Sequence, residues 1–174
     1  MLTRRQFLKV GIASGLVLAG AGWLALRREP AGGYQWLDKR SATIVAALVP
    51  AVLEGALPAE ERARADAVRE TTAAFDRAVS GLSPAVQEEI AQLFALLGIA
   101  AGRFIVAGVR SSWSEATGEE VSAFLARWRT SRFALLRAGY QALTQLILAA
   151  WYGNPASWSG IGYPGPPPLD ARAS

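Results

Sequence analysis

Whatever chemistry this chain performs must come from carboxylates, guanidinium groups, hydroxyls and aromatic rings. It has no Cys and no His, and its single methionine is Met1. Thiolate and imidazole ligands are therefore missing, which excludes disulfides, structural zinc, iron–sulfur clusters and axially ligated haem. Ser-His-Asp and Cys-His nucleophilic systems are excluded too, since neither the base nor the thiol exists. An enzyme built on this chain would need its acid and its base from carboxylates alone. Asp66, Glu70 and Asp76 stand closest to such a set, interleaved with Arg62, Arg64, Arg69 and Arg77. At helical spacing that mixture reads as a solvated face of alternating charge, not as a carboxylate pair in an apolar setting. No catalytic, cofactor-binding or metal-binding residue is assigned.

Two other arginines tell more. Arg4 and Arg5 stand in the run Thr3-Arg4-Arg5-Gln6-Phe7-Leu8-Lys9, which precedes an apolar, Gly- and Ala-rich stretch at 10–26 and then Arg27-Arg28. This resembles a twin-arginine (Tat) export signal, whose Ser/Thr-Arg-Arg-x-Phe-Leu-Lys pattern is met at Arg4, Arg5, Phe7, Leu8 and Lys9. The resemblance implies recognition by the Tat translocase and transport, already folded, into the periplasm. A helix over 10–26 would be roughly 26 Å long, slightly short of a hydrocarbon core of ~30 Å. Two fates of the leader stay open: cleavage near Ala31-Gly32-Gly33, just before Tyr34, or retention as an inner-membrane anchor.

The leader also accounts for the basic balance. The formal charge is +4, yet five of the 18 basic residues fall in the first 28 positions, where no Asp or Glu occurs. The remainder of the chain has 13 bases against 14 acids, a net of −1. A near-neutral body has no phosphate-neutralising field, so nucleic acid is not an expected partner.

Positioning falls to helices. The chain is 52% hydrophobic and 18% charged, too apolar for disorder and the right length for one domain beyond the leader. Ser41 is the expected N-cap of a first helix with Ile44, Leu48 and Val52 on one face, kinked or cut by Pro50 and closed by Gly55 and Pro58. A second helix starts near Ala59, with Glu60 and Glu61 suited to the helix dipole and Val68, Thr71, Phe75, Ala78 and Val79 facing inward. Ser83-Pro84 opens a third, with Val86, Ile90, Leu93, Phe94 and Leu97 as its stripe. Residues 99–109, apolar apart from Arg103, are expected as a buried connector or short helix, and Gly98-x-x-x-Gly102 would let another helix approach closely.

Thr117 and Glu120 form a capping-box pattern before Val121, Phe124, Leu125 and Trp128. Past Thr130-Ser131 the stripe resumes at Leu136, Tyr140, Leu143, Ile147 and Trp151, in one long helix or two stacked pieces. The expected fold is all-α, a bundle of four to five helices. Residues 1–33 form the signal or anchor helix, 34–152 the helical domain, and 153–174 an extended tail rich in Pro, Gly and aromatics.

Gly and Pro at the tail's density forbid a helix, yet the tail keeps Trp158, Ile161 and Tyr163. Something other than their own helix must bury those side chains, either the bundle or a partner. Three runs carry a family resemblance: Phe124-Leu125-x-x-Trp128-x-x-Ser131, then Leu136-Arg137-x-x-Tyr140-x-x-Leu143, then Trp151-Tyr152-x-Asn154-Pro155-x-x-Trp158-x-x-Ile161-Gly162-Tyr163-Pro164-Gly165-Pro166. They look like the C-terminal signature of the gluconate 2-dehydrogenase subunit 3 family, small Tat-signal subunits of membrane-associated, FAD-dependent sugar and alcohol dehydrogenases.

The resemblance implies three kinds of chain. A large dehydrogenase subunit carries FAD, a c-type cytochrome subunit carries haem c, and this chain is a non-catalytic escort or structural subunit without a cofactor. The expected partner-binding residues are Trp151, Tyr152, Pro155, Trp158, Ile161, Tyr163, Pro164 and Pro166. The alternative reading is a stand-alone, membrane-anchored periplasmic scaffold or binding protein.

Overall fold

In a computed structural model, which describes residues 29–158, 162, 164 and 165, the apolar stripes become helices packed on one core. Arg4, Arg5, Phe7, Leu8 and Lys9 of the export motif lie outside the described residues, as do Ile161, Tyr163 and Pro166 of the tail. The helices are α1 (Lys39–Val52), α2 (Glu61–Ser80), α3 (Pro84–Gly98), α4 (Gly118–Arg129) and α5 (Ala134–Tyr152). A π-helical turn, Gly102–Ala107, follows α3, and a 3₁₀ turn, Pro155–Ser157, follows α5. The fold is all-α: among the described residues there is no strand, and no helix is long and apolar enough to cross a membrane.

α1 is the central element. Ile44, Val45, Leu48 and Val49 are wholly buried, because α1 touches each of the other four helices. Around it Phe75 of α2, Phe94 of α3, Phe124 and Trp128 of α4, and Leu143 and Ile147 of α5 close the core, each such side chain contributing roughly 1.5–3 kcal/mol. Edge-to-face pairs order the aromatics, Phe94 with Trp36 at 6.1 Å and with Phe75 at 5.9 Å, and Phe124 with Trp128 at 4.7 Å.

Several local expectations are corrected. The N-cap of α1 is Asp38, whose Oδ1 accepts the Ser41 N–H at 2.7 Å; Ser41 itself is buried in the first turn. A carboxylate three residues upstream is as good an acceptor as a serine hydroxyl and leaves Ser41 free to go inside. Pro50 does not split the helix. It sits two residues before the end at Val52, where its missing N–H costs one late bond, and the turn is completed by Gly55 at φ +79°. α2 starts at Glu61, with Glu60 accepting the N–H groups of Arg62 and Ala63 at 3.0 and 2.7 Å. Val86, in the first turn of α3, is exposed, and the packed stripe begins at Ile90.

The capping box is present in full: Thr117 Oγ1 accepts from Glu120 N–H at 3.2 Å, and Glu120 accepts from Thr117 N–H at 3.3 Å. The Ser111 hydroxyl, and beyond it the N–H groups of Thr117, Arg110 and Ser111, hold the Glu120 carboxyl below its usual range against a smaller opposing desolvation. The final stripe is two pieces, interrupted between Arg129 and Ala134.

The largest correction concerns Asp76. Rather than joining the solvated face, it is 2% exposed and accepts three backbone N–H bonds, from Gln35 at 2.8 Å, Trp36 at 2.8 Å and Leu37 at 2.7 Å. A buried carboxylate is stable only where such donors replace its water. Its bonds pin the segment before α1 onto α2.

Residues 99–109 are only partly buried. Gly102 and Ala107 take the inward positions of the π turn, so Phe104 and Ile105 face out. Three side chains satisfy carbonyls around it: Trp113 Nε1 donates to Leu97 O at 2.8 Å, Trp128 Nε1 to Val106 O at 3.0 Å, and Arg127 to Ala107 O. The Gly98-x-x-x-Gly102 spacing serves contacts within this chain, since a Cβ on Gly98 would strike the Arg40 side chain and one on Gly102 the Leu96 carbonyl.

Candidate interaction surface

α5 ends because its last turn runs into Gly153 and Pro155. A Cβ on Gly153 would stand 2.8 Å from the Ala149 carbonyl oxygen, so the tight exit needs glycine there. The chain then folds back by local bonds: Ser157 N–H and Oγ donate to Asn154 O at 3.0 and 2.8 Å, and Trp158 N–H donates to Pro155 O at 3.1 Å. Trp158 Nε1 donates to Tyr152 O at 2.8 Å, satisfying a carbonyl that the end of α5 leaves without a helical partner. Gly165, at φ +99°, lies on the indole, where a Cβ would be 3.1 Å from Cζ3. Asn154 Nδ2 reaches Glu70 of α2 at 3.4 Å. Far from being wholly extended, the start of the tail is a 3₁₀ turn clamped to the last turn of α5.

Of the expected partner-binding residues, Trp151, Tyr152, Pro155 and Trp158 come together at this end of α5. Trp151 packs against the core, Trp158 is half-buried, and Tyr152, Pro155 and Pro164 are exposed. Beside them runs a groove of about 500 Å³ between α2 and α5. Its lining includes the small residues Ala73, Ala74, Ala149 and Gly153, together with Glu70, Arg77 and Pro155. Such a surface can seat an apolar side chain or an extended segment. Among the described residues no group of three or more acidic, His or Cys side chains is placed to hold a metal.

A second exposed apolar set was not singled out by sequence reasoning. It comprises Phe104 and Ile105 on the π turn and Phe133 and Leu135 at the α4–α5 corner. The available signal was that both pairs fall at helix breaks, beside Gly102 and Gly108 in one case and Ser131 in the other, where an amphipathic stripe no longer dictates direction. No family model, curated protein or solved structure matches this chain.

Proposed function

We propose that this chain is the non-catalytic small subunit of a periplasmic, FAD-dependent sugar or alcohol dehydrogenase complex. In this role it supplies the Tat signal with which the folded flavoprotein is exported, and it stabilises that partner afterwards. The observation that carries the reading is the pairing, in one chain, of Thr3-Arg4-Arg5-x-Phe7-Leu8-Lys9 with a body devoid of His and Cys. A signal for moving folded protein, on a body without the usual ligands of an inserted metal cofactor, makes sense when the cargo is a partner chain. The signature from Trp151 to Pro166 supports a flavoprotein as that cargo. Tyr152, Pro155 and Trp158, next to the α2–α5 groove, are the side chains it would meet. FAD belongs to the large subunit and haem c to a cytochrome subunit that takes the electrons onward; the Tat translocase is the transient partner, and a retained leader would hold the complex at the inner membrane.

The test is affinity purification from the native host with an absorbance scan for flavin, repeated on the Arg4→Lys, Arg5→Lys double variant. Lysine cannot replace a planar, multi-donor guanidinium where that shape is read. The expected result is a flavoprotein that co-purifies and stays cytoplasmic, with this chain, in the variant. Normal periplasmic levels of both would remove the Tat assignment. Stoichiometric flavin on the isolated chain would make it an enzyme, and purification without a partner would favour the scaffold.

A further inference from the structure

We infer that the end of the bundle bearing the π turn and the α4–α5 corner is a peripheral docking face for an anionic phospholipid surface. Four large apolar side chains stand out there: Ile105 and Leu135 are 75% and 77% exposed, Phe104 and Phe133 somewhat less. Trp128 ties the two pairs to one place. Its Nε1 is bonded to Val106 O, next to Ile105 in the chain, while the opposite edge of its indole faces Gly139, one turn beyond Leu135. Protruding apolar side chains of this number ask for cover.

Charge chooses the cover. Arg129, Arg132 and Arg137 surround the corner, all exposed, and the stretch 121–158 contains no Asp or Glu. Among the described residues the one ion pair is Arg69 with Asp66, so none of these three guanidinium groups is neutralised by a carboxylate within bonding distance. Glu54 shares the shallow α1–α4–α5 groove with Arg129 without pairing to it. Arg132 lies over the Phe133 ring at 4.8 Å, and Arg137 donates to Ser131 O at 2.6 Å, which fixes the corner with its cations outward. Apolar side chains ringed by unpaired arginine match the interface of an anionic bilayer, which offers apolar depth beneath a negative surface.

Because the chain has no Cys, a single cysteine carrying an environment-sensitive fluorophore reports on one place, whatever the leader does. Full-length protein labelled at Ile105→Cys, at Leu135→Cys, or at Glu61→Cys as a control is mixed with vesicles of phosphatidylcholine alone or with phosphatidylglycerol. The labels at 105 and 135, but not at 61, should shift to the blue and become protected from iodide on the anionic vesicles only, and molar salt should reverse this. Arg129→Gln with Arg132→Gln should weaken the response roughly 30-fold, a change at exposed positions that leaves the helical spectrum intact. Unchanged labels at 105 and 135 would overturn the proposal, as would an equal response to neutral vesicles. Protection that appears only when a protein co-purifies would assign this face to a protein partner instead. The proposal does not rest on the escort reading: no flavoprotein enters the vesicle assay, and no vesicle enters the export test.

Discussion

The segment before α1 and the segment after α5 each bring a tryptophan back to the bundle, and they do so by different means. Trp36 is buried, and its backbone N–H, with those of Gln35 and Leu37, ends on the Asp76 carboxylate. Trp158 is half-buried and is held by its own indole N–H on a carbonyl six residues away. The first attachment is long-range and charged, and lies in the core; the indole bond of the second is local and neutral and lies at the rim, where the tail's long-range contact is Asn154 Nδ2 to Glu70 at 3.4 Å. The first segment is part of the core, whereas the second is held at the surface, where the proposed partner would meet it. Charge-assisted bonds that replace water inside a protein are individually strong and costly to break, while a single neutral bond at a helix end is worth about 1 kcal/mol.

Breaking the buried attachment should have the largest effect. Asp76→Ala leaves three N–H groups without an acceptor and is expected to cost about 3–5 kcal/mol in chemical denaturation, with Asp76→Asn intermediate because its amide keeps only part of the acceptor set. A loss below about 1 kcal/mol for the alanine variant would mean that water replaces the carboxylate and that the two segments are alike after all.

Next comes Trp158→Ala, expected to lower stability by about 1–2 kcal/mol and to weaken binding of the proposed flavoprotein partner by roughly 30-fold. Melting temperature and affinity measured on the same variant separate the two effects. A strongly destabilised protein with unaltered affinity would take the tail out of the interface and make it cover for the bundle.

The smallest effect asks whether a carboxylate can do comparable work in solvent. Glu120 gathers N–H donors as Asp76 does, but at the surface. Its folded-state pKa is lowered, so its contribution is present above the ordinary glutamate range and is lost as pH falls through the folded value. Glu120→Gln should lower the melting temperature slightly on the neutral side, where the contribution is present, and leave the far acid end alone, so that the acid side of the profile is flatter. A steeper acid side in the variant would reverse the sign argued here.

Much of the fold is legible in the sequence because it is local. Ile44, Leu48, Phe75, Ile90, Phe94, Phe124 and Leu143 sit where their spacing places them, and the Thr117–Glu120 box is read from four residues. Asp76 is not, although it occupies the turn between Thr72 and Val79 on the buried face. A charge there makes sense only with donors from 39 to 41 residues earlier, and no window of helical period contains them. The apolar pairs at the helix breaks escape for a related reason, since periodicity assigns no direction once a helix has ended. The start of the tail reads as extended because its 3₁₀ turn is closed by one serine, one asparagine carbonyl and one indole, none of them a turn signal alone.

The Asp76 attachment has a temporal side. The ribosome delivers Gln35, Trp36 and Leu37 about forty residues before it delivers their acceptor. Until α2 is made and docked, the N–H groups of this stretch can bond only to water. The fixing of the residues just before α1 thus records that the first two helices have assembled. Under the export role proposed above, a translocase that accepts only finished cargo would find, in the restraint of that short stretch, a physical difference between a nascent chain and a folded one.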